Sequence, residues 1–480
     1  MSATPPVAGS GGMPAGTRRR VAVVGGGIAG LAAARDLVRA GAEVTLYEPA
    51  QLGGKIRTER FAGRRVELGA DAFLTRVPDA VALCRELGME ADLVAPSAGH
   101  AALWWDDRLI TLPSDLVLGA PARLGGVARS GILSPLGVLR AGLDWVLPAT
   151  PPPVDLSVWE LIASRFGGEV ADRLVDPLVG GIHAGRTVEL SAAATTPQLL
   201  GAARKRRSLA RALREATGGV AAAGAKGPVF LAPRGGLGEL TDRLVTGLIT
   251  EGAVIQRRGV EQITLAPGEP GAADPGVAVD GEDRLFDGAV LAVPAATAAG
   301  LLGPAAPSGL GGIPTASVTM TLLAYRTDEL AVPEGLSGFL VPRPGGRLVT
   351  ACSFASSKWP HWSEPGTTLL RVSVGRDGDD RQDHLDDEAL ADAVVREMGL
   401  ALRTSAKPTE TRVVRWPDAF PQYRVGHLDL VKRIEEELRR KAPTVTLAGA
   451  SYRGSGIPAC IRSGRDAAAA VLAGFDAGRA

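Results

Sequence analysis

A glycine-rich turn between an apolar run and a helix-like run is the feature that most constrains how this chain can fold. The apolar run 20–24 leads into Gly25, Gly27 and Gly30, which have G-x-G-x-x-G spacing. The first glycine permits a tight turn, the second lets a pyrophosphate approach the backbone, and the third lets helix and strand pack closely. The sequence therefore predicts a βαβ dinucleotide-binding unit. Its predicted cofactor contacts are Gly25, Gly26, Gly27, Ile28, Ala29 and Gly30.

A second predicted strand, 44–48, ends in an acidic residue. Glu48 follows the glycine turn by about 20 residues, where a ribose-binding acid is expected, and its carboxylate would repel a 2′-phosphate. Gly54, Lys55 and Arg57 then place a flexible backbone and two cations beside it. This combination suits a bulky pyrophosphate in an enclosed site, and NAD sites rarely need it. Two alternatives remain open, since glycine turns also occur without nucleotides and a basic turn can simply be solvated.

Length and charge limit the class of protein. A chain of 480 residues exceeds what one hydrophobic core usually holds, so two or three domains are expected. Lys and Arg (53) nearly balance Asp and Glu (52), which gives no support for a nucleic-acid partner. The cysteines and histidines are scattered without metal-ligand spacing, so we expect no metal site and a reducing, cytoplasmic location. We expect no membrane-spanning segment, and residues 1–20 have the composition of a disordered tail.

The order of strand-like and helix-like runs predicts a discontinuous α/β architecture. Runs typical of a nucleotide-binding sheet occur at 20–24, 44–48, 288–295 and 445–450, and alternating runs between 301 and 415 indicate a mostly antiparallel sheet. We predict a Rossmann-like cofactor-binding domain with an inserted mixed or antiparallel-sheet substrate domain and a helical subdomain. The predicted division is a tail at 1–20, a cofactor domain at 21–80, 227–300 and 416–480, a substrate domain at 81–107, 206–226 and 301–415, and a helical subdomain at 108–205.

The region 108–226 contains three further signals. Residues 132–147 have apolar side chains at helical spacing, which indicates a core helix, an apolar groove or a helix resting on a membrane surface. The run 180–185 is glycine-rich and predicts a turn. The basic run 204–207 is predicted to begin a helix and to form a solvated face, or alternatively to dock an acidic partner.

Several motifs in the same order resemble those of FAD-dependent amine-oxidase-like flavoproteins. The nearer resemblance is to the oxygen-dependent protoporphyrinogen oxidase family, including the Gram-positive type that acts on coproporphyrinogen III. The segments that carry it are 25–30, 180–185, 336–342, 416–427 and 449–464. The resemblance implies FAD as cofactor and oxidation of coproporphyrinogen III to coproporphyrin III, or of protoporphyrinogen IX to protoporphyrin IX, in heme biosynthesis. It implies O2 as acceptor and H2O2 as product.

The resemblance also implies a set of site residues. Backbone near the flavin ring would come from Gly69, Ala70, Asp71 and Ala72. Val260 would meet the adenine, and the ring would be bordered by Trp416, Gly456, Ile457 and Pro458. Gly338 and Leu340 would form the substrate wall, and Arg76 would pair with a substrate propionate. No catalytic side chain is expected, because the flavin carries the chemistry. We expect His183 to be structural and Lys358 to be a surface residue.

Two other functions share parts of this pattern. An amine- or carotenoid-type flavin oxidoreductase would have the same cofactor motifs without the tetrapyrrole-specific segments. A non-enzymatic escort-type protein, similar to the proteins that escort prenylated GTPases, would have the fold and need not hold FAD. The sequence leaves the oligomeric state and peripheral contact with a membrane open.

Overall fold

The computed structural model describes residues 18–97, 99–146, 150–222, 227–266, 276–282 and 285–477. The predicted tail at 1–20 lies outside these residues except for its last three. The strands, in chain order, are β1 Arg20–Val24, β2 Glu43–Tyr47, β3 Thr58–Phe61, β4 Arg64–Glu67, β5 Phe73–Leu74, β6 Leu93–Val94, β7 His100–Trp105, β8 Arg108–Thr111, β9 Leu116–Val117, β10 Ala120–Pro121, β11 Phe230–Pro233, β12 Val254–Gln256, β13 Ile263–Ala266, β14 Gly276–Val279, β15 Gly288–Leu291, β16 Thr315–Arg326, β17 Leu336–Leu340, β18 Val349–Phe354, β19 Thr367–Val374, β20 Glu410–Pro421 and β21 Val445–Leu447.

Helices surround the sheets and form most of the region between β10 and β11. The α-helices are α1 Ile28–Arg39, α2 Asp79–Glu86, α3 Leu124–Ser130, α4 Pro135–Gly142, α5 Val158–Phe166, α6 Gly168–Val170, α7 Gly181–His183, α8 Ala192–Thr195, α9 Pro197–Lys205, α10 Leu209–Ala222, α11 Gly238–Thr250, α12 Ala295–Leu302, α13 Ala355–Lys358, α14 Asp387–Leu402, α15 His427–Lys441 and α16 Ile457–Ala477. A π-helical segment, Ala171–Gly180, connects α6 to α7.

A five-stranded parallel sheet holds the glycine turn. Its order is β12-β2-β1-β15-β21, so distant parts of the chain pair side by side. Helices α1, α11 and α16 cover one face, and α12 and α15 contribute to the core on the other. Because parallel strands are covered on both faces, their side chains form near-continuous apolar runs, as in the wholly buried Val21 and Val23. The predicted α/β fold class is confirmed.

A seven-stranded sheet lies beside it, with the order β20-β16-β19-β18-β17-β7-β8. Its neighbours pair antiparallel except β17 and β7, which are parallel, so this sheet is mixed, as predicted. Strand β20 belongs to this sheet and continues to Pro421, so the predicted boundary at 416 falls inside a strand. The division of the chain into domains stays a prediction.

Three expectations for the helical region need correction. Residues 132–147 do not form one helix, because Ser134 caps a new helix at Pro135, its side chain accepting a hydrogen bond from Gly137 N. The basic run 204–207 spans the end of a helix instead of starting one: Arg204 and Lys205 are the last two residues of α9, where cations interact favourably with the helix dipole. The run 180–185 continues from the π-helical segment into α7, and the turn comes at Ala184, with φ of 46°.

The apolar side of α4 faces outward. The side chains of Leu136 and Leu139 are 77% and 68% exposed, and Val146 is 63% exposed. The interpretation of this stretch as a core helix therefore holds only in part, because Ile132, Leu133 and Ala141 belong to the helical core while Leu136, Leu139 and Val146 are exposed. Apolar spacing identifies one face of a helix, but it does not say whether protein covers that face.

Candidate functional site

A cavity of about 840 Å³ joins the two sheets. One end is lined by the glycine turn after β1, and the other by strands of the seven-stranded sheet and the end of the π-helical segment. Ligand sites of this size are common where domains or sheets meet. The cavity is the candidate functional site.

The start of α1 forms the cofactor end of the cavity. Gly25, Gly27, Ile28 and Ala29 line it, and no side chain caps the helix at Gly27. The N–H groups of the first helical turn have no partners within the helix, so they and the positive end of the dipole are available to an anion. A methyl group placed on Gly27 would meet no atom within 4 Å, so the turn leaves open space above it. These features fit a diphosphate.

The other two residues of the predicted turn have packing roles. A methyl group on Gly26 would lie 2.5 Å from Leu52, and one on Gly30 would lie 1.9 Å from the carbonyl oxygen of Gly25. Neither residue is part of the cavity lining. The structure therefore brings four of the six predicted residues to the cavity and places two beneath them.

Glu48 lies at the end of β2 beside the turn. Its carboxylate accepts hydrogen bonds from Gly26 N at 2.8 Å and from Ala50 N at 2.9 Å. Each oxygen retains a second lone pair, so the carboxylate is oriented and can still accept a ribose hydroxyl. Glu48 lines the cavity, as the sequence predicts for a ribose-binding acid.

The segment 53–57 pairs with the glycine turn. Gly53 N donates to Gly26 O at 2.8 Å, and Gly54, Lys55 and Arg57 line the cavity. Burial lowers the pKa of Lys55, because removal from water disfavours the charged ammonium. Its Nζ donates to the carbonyl oxygen of Ala419. Arg57 Nε donates to Glu59 at 2.6 Å, so part of its charge is already compensated.

The turn after β4 contributes only its first half to the cavity. Gly69 and Ala70 line it, whereas Asp71 and Ala72 are not among the lining residues. The Asp71 carboxylate instead accepts hydrogen bonds from Lys358 Nζ at 2.8 Å and Trp359 Nε1 at 3.1 Å, and Arg371 lies 3.1 Å away. Burial opposes ionisation, but the two cations outweigh it and hold the pKa of Asp71 well below its usual range.

Lys358 is therefore not the exposed surface residue that we expected. Its side chain is 21% exposed and belongs to the ion pair with Asp71. Within the described part of the chain, His183 forms no ion pair, and burial lowers its pKa to about 4, so it is neutral at physiological pH.

The chain's last segments complete the cavity wall. Trp416 lines it and donates from Nε1 to Leu68 O at 3.1 Å. Helix α16 begins at Ile457, which lines the cavity together with Ser455 and Cys460. Gly456 and Pro458 flank Ile457 but do not line the cavity themselves. Val260 also lies outside the lining and packs against the core beside β15.

The predicted substrate residues lie apart from the cavity lining. A methyl group on Gly338 would lie 2.1 Å from Cys352 O, so this glycine serves strand packing. Leu340 packs with the helical core, and its neighbour Val341 lines the cavity. Arg76 is exposed and is not among the lining residues.

The substrate end has residues that the sequence analysis missed. Apolar side chains line it together with two arginines and an aspartate, and these come from five separate segments. They are Val318, Met320, Val341, Phe420, Arg343, Arg376 and Asp176. No local spacing connects these segments, so only the tertiary fold could have revealed them.

Comparisons with known proteins agree with this architecture. The sequence model described as "Flavin containing amine oxidoreductase" matches residues 28–472. A coproporphyrinogen III oxidase of Mycobacterium leprae (strain TN) is 35% identical over 468 residues, 95% of this chain and 99% of the relative. One from Bacillus subtilis (strain 168) is 31% identical over 483 residues, 95% of this chain and 98% of the relative.

A solved structure is similar over the same length. It comes from Exiguobacterium sp. 255-15, is provisionally named protoporphyrinogen oxidase, and superimposes with a TM-score of 0.84 at 28% identity, covering 97% of this chain and 100% of the other. The uncapped helix, the open space above Gly27 and the oriented Glu48 fit the flavin dinucleotide that the sequence predicts. The chain belongs to the flavin containing amine oxidoreductase family, and the predicted FAD cofactor and oxidoreductase class are confirmed.

Proposed function

We propose that this protein is an FAD-dependent oxidase that converts coproporphyrinogen III to coproporphyrin III in heme biosynthesis. The observation that carries the proposal is the single cavity in which a dinucleotide cradle continues into an apolar end with buried cations. A porphyrinogen matches that end chemically, because it has an apolar macrocycle and carboxylate side chains. The names of the relatives support the same substrate class.

When bound, FAD supplies the hydride acceptor. The chain's own residues would have binding and orienting roles: the α1 N-terminus would hold the diphosphate, and Glu48 would hold the ribose. Trp416 and Gly69 would border the flavin ring, and the positive end of the α16 dipole would face it. Conversion of the porphyrinogen to the porphyrin removes six electrons and six protons. It therefore takes three two-electron oxidations, each of which reduces one O2 to one H2O2.

The test is turnover by the purified protein. Denaturation should release FAD, and addition of coproporphyrinogen III under air should produce porphyrin fluorescence together with H2O2. Protoporphyrinogen IX, measured in parallel, tests the alternative substrate. A yellow protein that oxidises amines or carotenoids but neither porphyrinogen would contradict the proposal. A protein that holds no flavin would favour an escort-type function.

We also propose peripheral contact between the α4 region and an anionic membrane surface. No helix within the described ranges is both long and apolar enough to cross a bilayer. The exposed Leu136, Leu139 and Val146 form an apolar surface. Arg207 donates to Val146 O at 2.7 Å, and the Arg214 guanidinium lies 4.8 Å from the centre of the Trp145 ring. Cations beside exposed apolar side chains suit anionic lipid head groups.

A further inference from the structure

Two arginines lie at the substrate end of the cavity. Arg343 follows β17 and Arg376 follows β19, and both line the cavity. Their positions in the fold bring two guanidinium groups to a partly apolar wall. Burying a cation there is costly unless an anion accompanies it.

Arg343 already has partners from the protein. Its Nε lies 3.2 Å from Asp176 Oδ2, and its other nitrogens donate to the carbonyl oxygens of Asp377 and Gly185 at 3.2 and 2.6 Å. Asp176 is itself held by Thr187, whose N and Oγ1 donate to Oδ1 at 3.0 and 2.7 Å. Arg343 and Asp176 therefore form a neutral, fixed pair.

Arg376 has fewer partners. Its side chain is 10% exposed, and its buried Nε, like that of Arg343, has no hydrogen-bond acceptor among the described residues. Where Arg343 donates to two carbonyl oxygens, Arg376 has one long hydrogen bond of 3.5 Å, from Nη1 to Val341 O. Its carboxylate neighbour, Asp379, lies 3.8 Å from Nε. That carboxylate is occupied, because Arg381 donates to both of its oxygens at 2.7 and 2.8 Å.

Among the described residues, no carboxylate accepts a hydrogen bond from Arg376. Asp176 pairs with Arg343 and Asp379 with Arg381, so both carboxylates attract Arg376 without satisfying its donors. Burial and the nearby Arg343 lower the pKa of Arg376 to about 10, which still leaves it charged at neutral pH. A buried guanidinium in this state has hydrogen-bond donors to offer and favours a carboxylate from outside the protein.

We propose that Arg376 binds a propionate carboxylate of the porphyrinogen, and that Arg343, fixed by Asp176, keeps this part of the wall positive. The inference rests on the proposed function and names the residue that recognises the substrate's charge. The sequence predicts this role for Arg76, but Arg76 is exposed and lies outside the cavity lining, whereas Arg376 lines the cavity.

The test measures how binding depends on the Arg376 charge and on the carboxylates of the ligand. The probes are coproporphyrin III, which has four carboxylates, and its tetramethyl ester, which has none, in the same detergent. Dissociation constants are measured by porphyrin fluorescence for wild type, Arg376→Gln and Arg376→Lys. Arg347→Gln is the matched control. It removes one guanidinium charge, as Arg376→Gln does, but Arg347 lies outside the cavity lining. FAD content and melting temperature report folding of every variant.

We expect Arg376→Gln to weaken binding of the free acid by about 10- to 100-fold, as for a lost charged hydrogen bond. Binding of the ester should change by less than about threefold, KM for coproporphyrinogen III should rise more than kcat falls, and Arg376→Lys should restore part of the affinity. Arg347→Gln should behave as wild type. Equal affinity of Arg376→Gln and wild type for the free acid, or equal losses for acid and ester, would overturn the inference alone. A wild type that neither binds coproporphyrin III nor oxidises its porphyrinogen would overturn the proposed function as well.

Discussion

Gly30 packs directly against Gly25: a methyl group added to Gly30 would lie 1.9 Å from the carbonyl oxygen of Gly25. The two glycines therefore fix how closely α1 approaches the end of β1. Gly27, between them, has open space where a side chain would be. Residues of one motif thus have separate tasks, since Gly30 permits packing and Gly27 leaves room for a ligand.

This difference predicts that two similar substitutions both weaken flavin binding but differ in their effect on the stability of the flavin-free protein. Gly30→Ala should destabilise the protein by about 1–3 kcal/mol through overpacking and should reduce its flavin content. Gly27→Ala should leave the melting temperature of the flavin-free protein unchanged but reduce flavin affinity, because the methyl group occupies the space for the diphosphate. Thermal unfolding of apoprotein and titration with FAD would measure both effects. Full flavin affinity in Gly27→Ala would contradict this account.

Glu67 should make stability depend on pH. This carboxylate is buried, accepts hydrogen bonds from Leu237 N at 2.6 Å and Thr58 Oγ1 at 2.8 Å, and burial raises its pKa to about 7. Because the folded pKa exceeds the unfolded value of about 4.5, the folded state binds the proton more tightly. Its contribution to stability is complete below pH 4.5 and is lost as the pH rises through about 7.

The variant Glu67→Gln isolates this effect. The free energy of unfolding of wild type, relative to the variant, should fall by up to about 3 kcal/mol between pH 4.5 and 8. Denaturant unfolding across that range provides the measurement, and subtracting the variant removes the titrations that both proteins share. Parallel pH profiles for the two proteins would show that Glu67 does not titrate in this way.

The pair of Asp71 and Lys358 should be coupled. Lys358→Met removes one of the cations that hold the Asp71 carboxylate ionised and should cost about 1–3 kcal/mol, less than for a fully buried pair because both side chains retain some exposure. Asp71→Asn with Lys358→Met should cost less than the sum of the two single variants, because both substitutions remove the same ion pair, although the double variant leaves Arg371 without its carboxylate. A double-mutant cycle by chemical unfolding measures the coupling, and strictly additive effects would contradict it.

The exposed apolar surface on α4 should determine membrane contact. Replacing both Leu136 and Leu139 with Glu should reduce binding to phosphatidylglycerol vesicles by about tenfold or more, because apolar burial is lost and like charges repel. Ile249→Glu is a suitable control, since Ile249 is 59% exposed on α11, in the parallel-sheet region. Vesicle sedimentation gives the bound fraction, with phosphatidylcholine vesicles expected to bind weakly. Equal sedimentation of the double variant and wild type would argue against this surface.

The sequence predicted features that depend on local spacing. The turn at Gly25 and the acid Glu48 lie where the motif placed them, because glycine geometry and strand length determine both. Trp416 emerged only through a family resemblance. Arg376 could not be found, because nothing local distinguishes it among 53 Lys and Arg residues. Its environment is created by α-helical and β-sheet segments that are hundreds of residues apart in some cases.

The solvent exposure of individual side chains also could not be predicted from the sequence. The spacing of Leu136 and Leu139 correctly gave an amphipathic stretch, but these two residues are 77% and 68% exposed. The same limit applies to Lys358, whose neighbours include Asp71 from a turn 287 residues earlier. A residue's partner, and therefore its charge environment, depends on the assembled fold.

The parallel sheet also has a consequence for biosynthesis. Its edge strand β21 comes late in the chain, whereas β1 and the glycine turn come early, yet all of them belong to one sheet. A ribosome delivers the amino-terminal part first. The nascent polypeptide therefore has its glycine turn long before it has β21 and α16, so the complete cofactor site can form only after α16 has been synthesised.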